Sequence, residues 1–192
     1  MSNIPLDSVA LPGGQPGDHS PMAQNAKVTE ITRTQLLHAP PARVMQAFFS
    51  EADLRAWWQV TRAFAVPRPL GMYAIEWEPT DFKDEILGRL GGTLHGSVID
   101  FRANVSFFLA EVYWQPPDGD PVGPMAIDVQ CRPHGSGRQT MLTVKQSGEG
   151  EGPRWERYFQ IMGRGWEGAL EEMKQFIDKE IERTKLSRES RT

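Results

Sequence analysis

The side chains in this sequence whose types could carry chemistry are few and scattered. The histidines are His19, His38, His95 and His134, and the lone cysteine is Cys131. No two histidines stand four positions apart and no second cysteine accompanies Cys131, so the spacing holds no zinc signature and no metal ligand set is expected. No Gly-x-Ser-x-Gly elbow is present either. His95 falls on a predicted strand, with Asp100 and Glu111 also on the predicted sheet. With Glu76 it defines one candidate acid–base set, His95, Glu76 and Asp100, for a cyclase, hydrolase or dehydratase. A carboxylate in that role would need a raised pKa to donate a proton near neutrality. The plainer reading makes His95 an exposed or structurally bonded histidine, and the same reading covers Glu76 and Glu78. Nothing in the sequence calls for a cofactor.

The run Gly148-Glu149-Gly150-Glu151-Gly152 stands between a predicted strand and a predicted helix, where a phosphate loop would sit. Its glutamates would repel an anion, Pro153 removes a helix N-terminal donor, and no lysine follows. The acidic pair suits the positive end of a helix dipole, and the segment reads as a flexible connector.

The aromatic residues are more suggestive. Trp58, Tyr73, Trp77, Phe107, Trp114, Trp155, Phe159 and Trp166 supply large apolar surfaces with a few N–H or O–H handles, and core packing accounts for most of them. Gly163 and Gly165 flank a helical stripe, where each costs ~1 kcal/mol against alanine. Close backbone packing explains such a cost, and so does room left for a ligand. Met45, Met125, Met162 and Met173 add adaptable surface.

The elements that must position these residues follow from periodicity. Residues 1–26 hold Pro5, Pro12, Gly13, Gly14, Pro16, Gly17 and Pro21 with few large apolar side chains, and are expected to form a disordered tail. The β-branched run Val28 to Leu37 predicts a strand. Pro41 opens a helix carrying Val44, Ala47 and Phe48 on one face, and Ser50 caps a second, Glu51 to Trp58. Strands are expected over Gly71–Glu78, Thr93–Phe101, Val105–Trp114, Met125–Arg132 and Gln139–Gln146. Short turns between them favour antiparallel neighbours. The longer Pro79–Gly92 connection is expected to hold a short amphipathic helix, capped by Asp81 and carrying Phe82, Ile86, Leu87 and Leu90, which could serve as a flap. From Pro153 to about Thr184 the apolar positions Trp155, Phe159, Met162, Trp166, Ala169, Leu170, Met173 and Ile177 form one stripe of a long helix. About thirty residues at ~1.5 Å each span roughly 45 Å, enough to cross a whole sheet. Residues 27–184 are thus expected to form one α+β helix-grip domain, a curved antiparallel sheet wrapped around the long helix, and 185–192 a charged end.

With 24% charged residues, 39% apolar ones and a net charge of −4, the chain lacks the basic excess of a nucleic-acid binder. No apolar run approaches the ~18 residues of a membrane span, and no secretory leader is evident, so a cytoplasmic location is the default expectation.

Certain motifs carry a family resemblance. They are Pro40-Pro41-Ala42-Arg43-Val44-Met45-Gln46-Ala47-Phe48, Leu54-Arg55-Ala56-Trp57-Trp58, Leu70-Gly71-Met72-Tyr73, Gly96-Ser97-Val98-Ile99-Asp100-Phe101 and Gly165-Trp166-Glu167-Gly168-Ala169-Leu170-Glu171-Glu172-Met173-Lys174. In this order the chain resembles the START-like (SRPBCC) superfamily, and within it the C-terminal domain of the activator of the heat shock protein 90 ATPase. The resemblance implies two short helices after the first strand and a cavity between the sheet and the final helix. The residues expected to line that cavity are Trp58, Tyr73, Ile75, Trp77, Val98, Phe107, Phe159, Met162, Trp166, Leu170 and Met173. The implied function is binding of an apolar or amphipathic small molecule, such as a lipid. The alternatives are a cavity enzyme and a co-chaperone acting on a heat shock protein 90 ATPase in a stress response. The family has no common catalytic set. The Pro79–Gly92 connection is longer than its usual one, and no separate N-terminal domain like that of full-length co-chaperones is evident.

Overall fold

The computed structural model describes residues 28–190. The segment expected as a disordered tail, residues 1–26, lies outside them. Strand β1 (Val28–Leu37) leads through Pro40 into α1 (Pro41–Phe49), and α2 (Glu51–Trp57) follows at once. Ser50 ends one helix and caps the next, its Oγ accepting from the Asp53 N–H at 3.3 Å, with Glu51 and Asp53 in the first turn as the dipole prefers.

The main sheet comprises β1, β2 (Arg62–Ala65), β3 (Gly71–Trp77), β6 (Gly92–Arg102), β7 (Ser106–Gln115), β8 (Val122–His134) and β9 (Gln139–Glu149). Every pairing is antiparallel, in the order β1-β9-β8-β7-β6-β3-β2, and the sheet does not close. Register shifts at His95/Ser97, Val98/Asp100 and Leu109/Val112 bend the middle strands. At the first of these, the Gly96 backbone passes so close to β7 that a Cβ there would lie 2.9 Å from Val112 Cγ2.

Strand alternation puts Tyr73, Ile75, Leu94, Val98, Phe107, Leu109, Ile127, Val129, Leu142 and Val144 on the inner face. There they form one buried cluster with Trp155, Tyr158, Phe159, Trp166, Leu170, Met173 and Ile177 of α3 (Pro153–Glu189). The expected helix-grip architecture is observed, with α3 running five residues past Thr184.

The glycine-glutamate segment is partly strand. A Cβ on Gly148 would come within 2.8 Å of Trp155 Cη2, and one on Gly150 within 2.4 Å of Trp155 Cδ2. These glycines are therefore the floor on which the Trp155 ring lies, while its indole N–H donates to Thr29 Oγ1 at 3.1 Å.

The expected helix at Asp81–Leu90 is not formed, and Asp81 caps nothing. A two-stranded hairpin stands there instead, β4 (Lys83–Asp84) with β5 (Gly88–Arg89). The reason lies in Asp84, whose Oδ1 accepts the backbone N–H groups of Ile86 and Leu87, both at 3.0 Å. Such a side-chain turn competes with helical hydrogen bonding, and Gly88 then takes a φ of 82° that closes the hairpin.

Candidate functional site

Between the inner face of the sheet, the N-terminal half of α3 and the hairpin lies a cavity of about 400 Å³. Its walls come from four directions: Trp58 at the end of α2, Trp77, Leu94 and Trp114 from the sheet, Leu87 and Leu90 from the hairpin, and Tyr158, Ile161, Met162, Gly165 and Trp166 from α3. Gln59, Glu78, Thr80 and Gly91 complete the lining. The polar members Gln59, Glu78 and Thr80 are exposed, so they form the mouth.

Three of the four indole N–H groups are committed to protein acceptors. Trp77 donates to the Trp58 carbonyl at 2.9 Å, Trp114 to the Gly91 carbonyl at 2.8 Å, and Trp166 to Gln146 Oε1 at 2.7 Å. The rings also support one another, with Trp58 stacked on Trp57 at 4.8 Å and tilted against Trp166 at 4.9 Å. Trp57 itself is buried and donates to the Ala47 carbonyl at 2.9 Å, so it ties α2 to α1 and takes no part in the cavity. Gln59, at φ 55°, occupies the left-handed position after the end of α2.

Behind the wall, the fully buried Gln146 joins Trp166 to Tyr158: its Nε2 donates to the Tyr158 hydroxyl at 3.0 Å. Burial pushes the Tyr158 phenol up, opposed in part by that hydrogen bond, and so keeps it protonated. The Cys131 thiol, also buried, is pushed up to about 12 and is no ready nucleophile. Among the described residues no group of three His, Cys, Asp or Glu side chains could hold a metal ion. Among the same residues no helix is long and apolar enough to cross a membrane.

Of the residues expected to line the cavity, Trp58, Trp77, Met162 and Trp166 do so. Tyr73 and Phe107 lie deeper, around a void of only about 10 Å³, and Phe49 packs edge-on against both. Ile75, Val98, Phe159, Leu170 and Met173 are core residues that do not reach the cavity. The lining also includes Trp114, Leu87, Leu90, Ile161 and Tyr158, which the sequence reading had not placed there.

The structure does not bring the candidate acid–base set into the cavity. His95 is exposed and stacks on Tyr113 at 5.9 Å, Glu76 pairs with Arg62 at 2.6 Å, and Asp100 pairs with Arg102 at 3.2 Å. All three occupy the solvent face: Glu76 and His95 alternate with the buried Ile75 and Leu94, and the register shift between Val98 and Asp100 turns Asp100 outward. Glu78 differs from its neighbour Glu76. Strand β3 ends at Trp77, the alternation stops, and Glu78 turns to the mouth.

Gly165 has open space where a side chain would be, its nearest neighbours being Met162 Cε at 3.9 Å and Sδ at 4.0 Å. Gly163 would meet only the Arg33 Nη2 atom, at 3.4 Å. Neither glycine is required by close backbone packing, and the absent side chain at Gly165 is part of the cavity volume.

The sequence matches the family model described as activator of Hsp90 ATPase homolog 1-like protein over residues 38–178. A search of curated proteins finds no match. A protein from Rhizobium leguminosarum has a similar fold, with TM-score 0.60 and 20% identity over 80% of this chain and 96% of that one. A protein from Mesorhizobium loti aligns with TM-score 0.59 and 19% identity, over 79% and 98% of the two chains. The Aha1 dimer from Colwellia psychrerythraea aligns with TM-score 0.55 and 16% identity, over 78% and 96%. At these identities the structural likeness is one of fold.

Proposed function

The chain belongs to the activator of Hsp90 ATPase homolog 1-like family, and on that premise we propose that it binds an apolar or amphipathic small molecule between the sheet and α3. One observation carries the reading: a continuous wall of four tryptophans, Tyr158 and aliphatic side chains around about 400 Å³. Small-molecule sites commonly occupy ~300–1,000 Å³ and combine mainly apolar walls with a few polar groups. Here Glu78 and the Tyr158 phenol are the ionisable groups of the lining, which suits binding better than acid–base turnover. An amphipathic guest would bury its apolar body against the indoles and leave its polar end at Gln59, Glu78 and Thr80.

Titration with a neutral naphthylamine dye tests this. Saturable quenching of tryptophan emission and a rise in Tm are expected, and Gly165→Phe, which fills the space, abolishes both. A wild-type protein that shows neither response overturns the reading.

A second reading, engagement of the ATPase for which the family is named, draws on the outer face. Phe64, Leu70 and Met72 there are 60%, 82% and 57% exposed, beside the short edge strand β2. Met72 sits diagonally from Phe64 across the β2–β3 pair, close enough for these side chains to share one patch. Stimulation of the chaperone's ATPase that is lost in Phe64→Ser/Met72→Ser supports it. No stimulation by the wild type removes it.

A further inference from the structure

The cavity wall contains a buried hydrogen-bond donor with nothing to donate to. Gln146 follows Thr140, Leu142 and Val144 on the inward face of β9 and is wholly buried. An indole N–H can only donate, so the Trp166 contact at 2.7 Å requires Gln146 Oε1 to face Trp166. The amide nitrogen is thereby turned to the Tyr158 hydroxyl at 3.0 Å and to Met125 Sδ at 3.2 Å. The Tyr158 oxygen is an acceptor in this chain of bonds, and its own proton must go elsewhere. Among the described residues nothing accepts it. A hydroxyl proton left unpaired in an apolar interior is costly, and Tyr158 is 1% exposed. Its ring stands in the cavity wall, 5.5 Å from that of Trp114.

The charge of the lining narrows what could accept that proton. Among the described residues no lysine, arginine or histidine lines the cavity, and Glu78 is the one carboxylate on it. A carboxylate or phosphate guest would be desolvated without a partner and repelled at the mouth. A carbonyl oxygen accepts a phenolic O–H and brings no charge.

We propose that the ligand is a neutral, largely apolar carbonyl compound whose oxygen accepts the Tyr158 O–H. This rests on the small-molecule reading above and specifies its chemistry.

Fluorenone and fluorene, which differ at the carbonyl and share one ring system, separate the two levels. Binding is read by tryptophan quenching, and the hydrogen bond by the fluorenone C=O infrared band. Fluorenone is expected to bind the wild type about tenfold tighter than fluorene, the worth of one buried hydrogen bond. Its carbonyl band should move below its position in an alkane. Tyr158→Phe equalises the two affinities and restores the alkane-like band. Trp58→Phe, a cavity substitution that keeps Tyr158, retains the band shift, so the assignment is testable even where Tyr158→Phe folds poorly.

Equal wild-type affinities with an unshifted band overturn the proposal and leave the small-molecule reading standing. A shift that survives Tyr158→Phe, or disappears in Trp58→Phe, also overturns it by assigning the bond to another donor. If neither compound binds, both readings fall.

Discussion

The Asp84 carboxylate and the Arg157 guanidinium meet across 73 positions of sequence, with Oδ2 accepting from Nε at 2.8 Å and from Nη2 at 2.7 Å. This contact fastens the β4–β5 hairpin, which carries Leu87 and Leu90 of the cavity wall, to the helix that forms the opposite wall. Arg89 adds a second tie, to Asp118 at 3.0 Å, and Arg154 a third, to the Ile86 carbonyl at 3.4 Å.

The Arg157 hydrogen bonds, helped by those from Leu87 and Ile86 and opposed by desolvation, hold Asp84 at about 2, below its ordinary value of 3.8. Its folded pKa is depressed, so its contribution to stability is complete above the ordinary value and lost as pH falls towards about 2. Asp84→Asn is expected to lower Tm by a few degrees at neutral pH, on the order seen for loss of one charged contact in a domain of this size. The difference from wild type should shrink between pH 4 and pH 2, which thermal melts across that range would follow. A gap that persists at pH 2 would assign the effect to packing.

Opening the hairpin separates charged partners, so ligand release should respond to salt. Stopped-flow dissociation of the naphthylamine dye is expected to quicken severalfold between low and high salt, because the partly exposed Arg157 and Arg89 pairs are screened. Asp84→Asn should release the dye faster at low salt and respond less to added salt. Salt-independent release in the wild type would mean that the hairpin need not open.

Gly165→Ala should stabilise the protein by up to ~1 kcal/mol, since alanine favours the helix and the new Cβ meets nothing closer than 3.9 Å. Gly71→Ala should do the opposite and prevent normal folding, because its Cβ would come within 2.2 Å of the Val66 carbonyl oxygen. Urea unfolding of the two variants measures both signs.

Gln146→Leu leaves the Trp166 N–H buried without an acceptor and should cost ~1–3 kcal/mol in urea unfolding. His95→Ala and Asp100→Ala, on the solvent face, should stay within ~0.5 kcal/mol of wild type and bind the dye unchanged.

Much of the frame was legible because periodicity reports burial. The alternation of Tyr73 and Ile75 gave the inner face of β3, and the Trp155–Ile177 stripe gave the buried side of α3. The cavity was harder to read. A core tryptophan and a cavity tryptophan have the same hydrophobicity, so the adjacent Trp57 and Trp58 look alike in sequence although one joins two helices and the other lines the cavity. Tyr158 stands three positions after Trp155 and four before Met162, a helical step that puts it on the buried side of α3. Gln146 also left a signal, as an amide that continues the inward series Thr140, Leu142 and Val144. The hairpin could not be foreseen, since the spacing of Phe82, Ile86, Leu87 and Leu90 fits a helix. What defeats the helix is the Asp84 turn and an arginine far along the chain.

The bonded indoles of Trp77, Trp114 and Trp166 have a thermodynamic consequence. Their orientations are set during folding, so a guest meets walls already in place and little rotational freedom remains to be lost on its arrival. Calorimetry should then find a negative heat-capacity change proportional to the guest's apolar area, with an enthalpy that is favourable at room temperature. A cavity of this kind sorts molecules by rigid outline, and guests of equal oil solubility but different shape should differ widely in affinity.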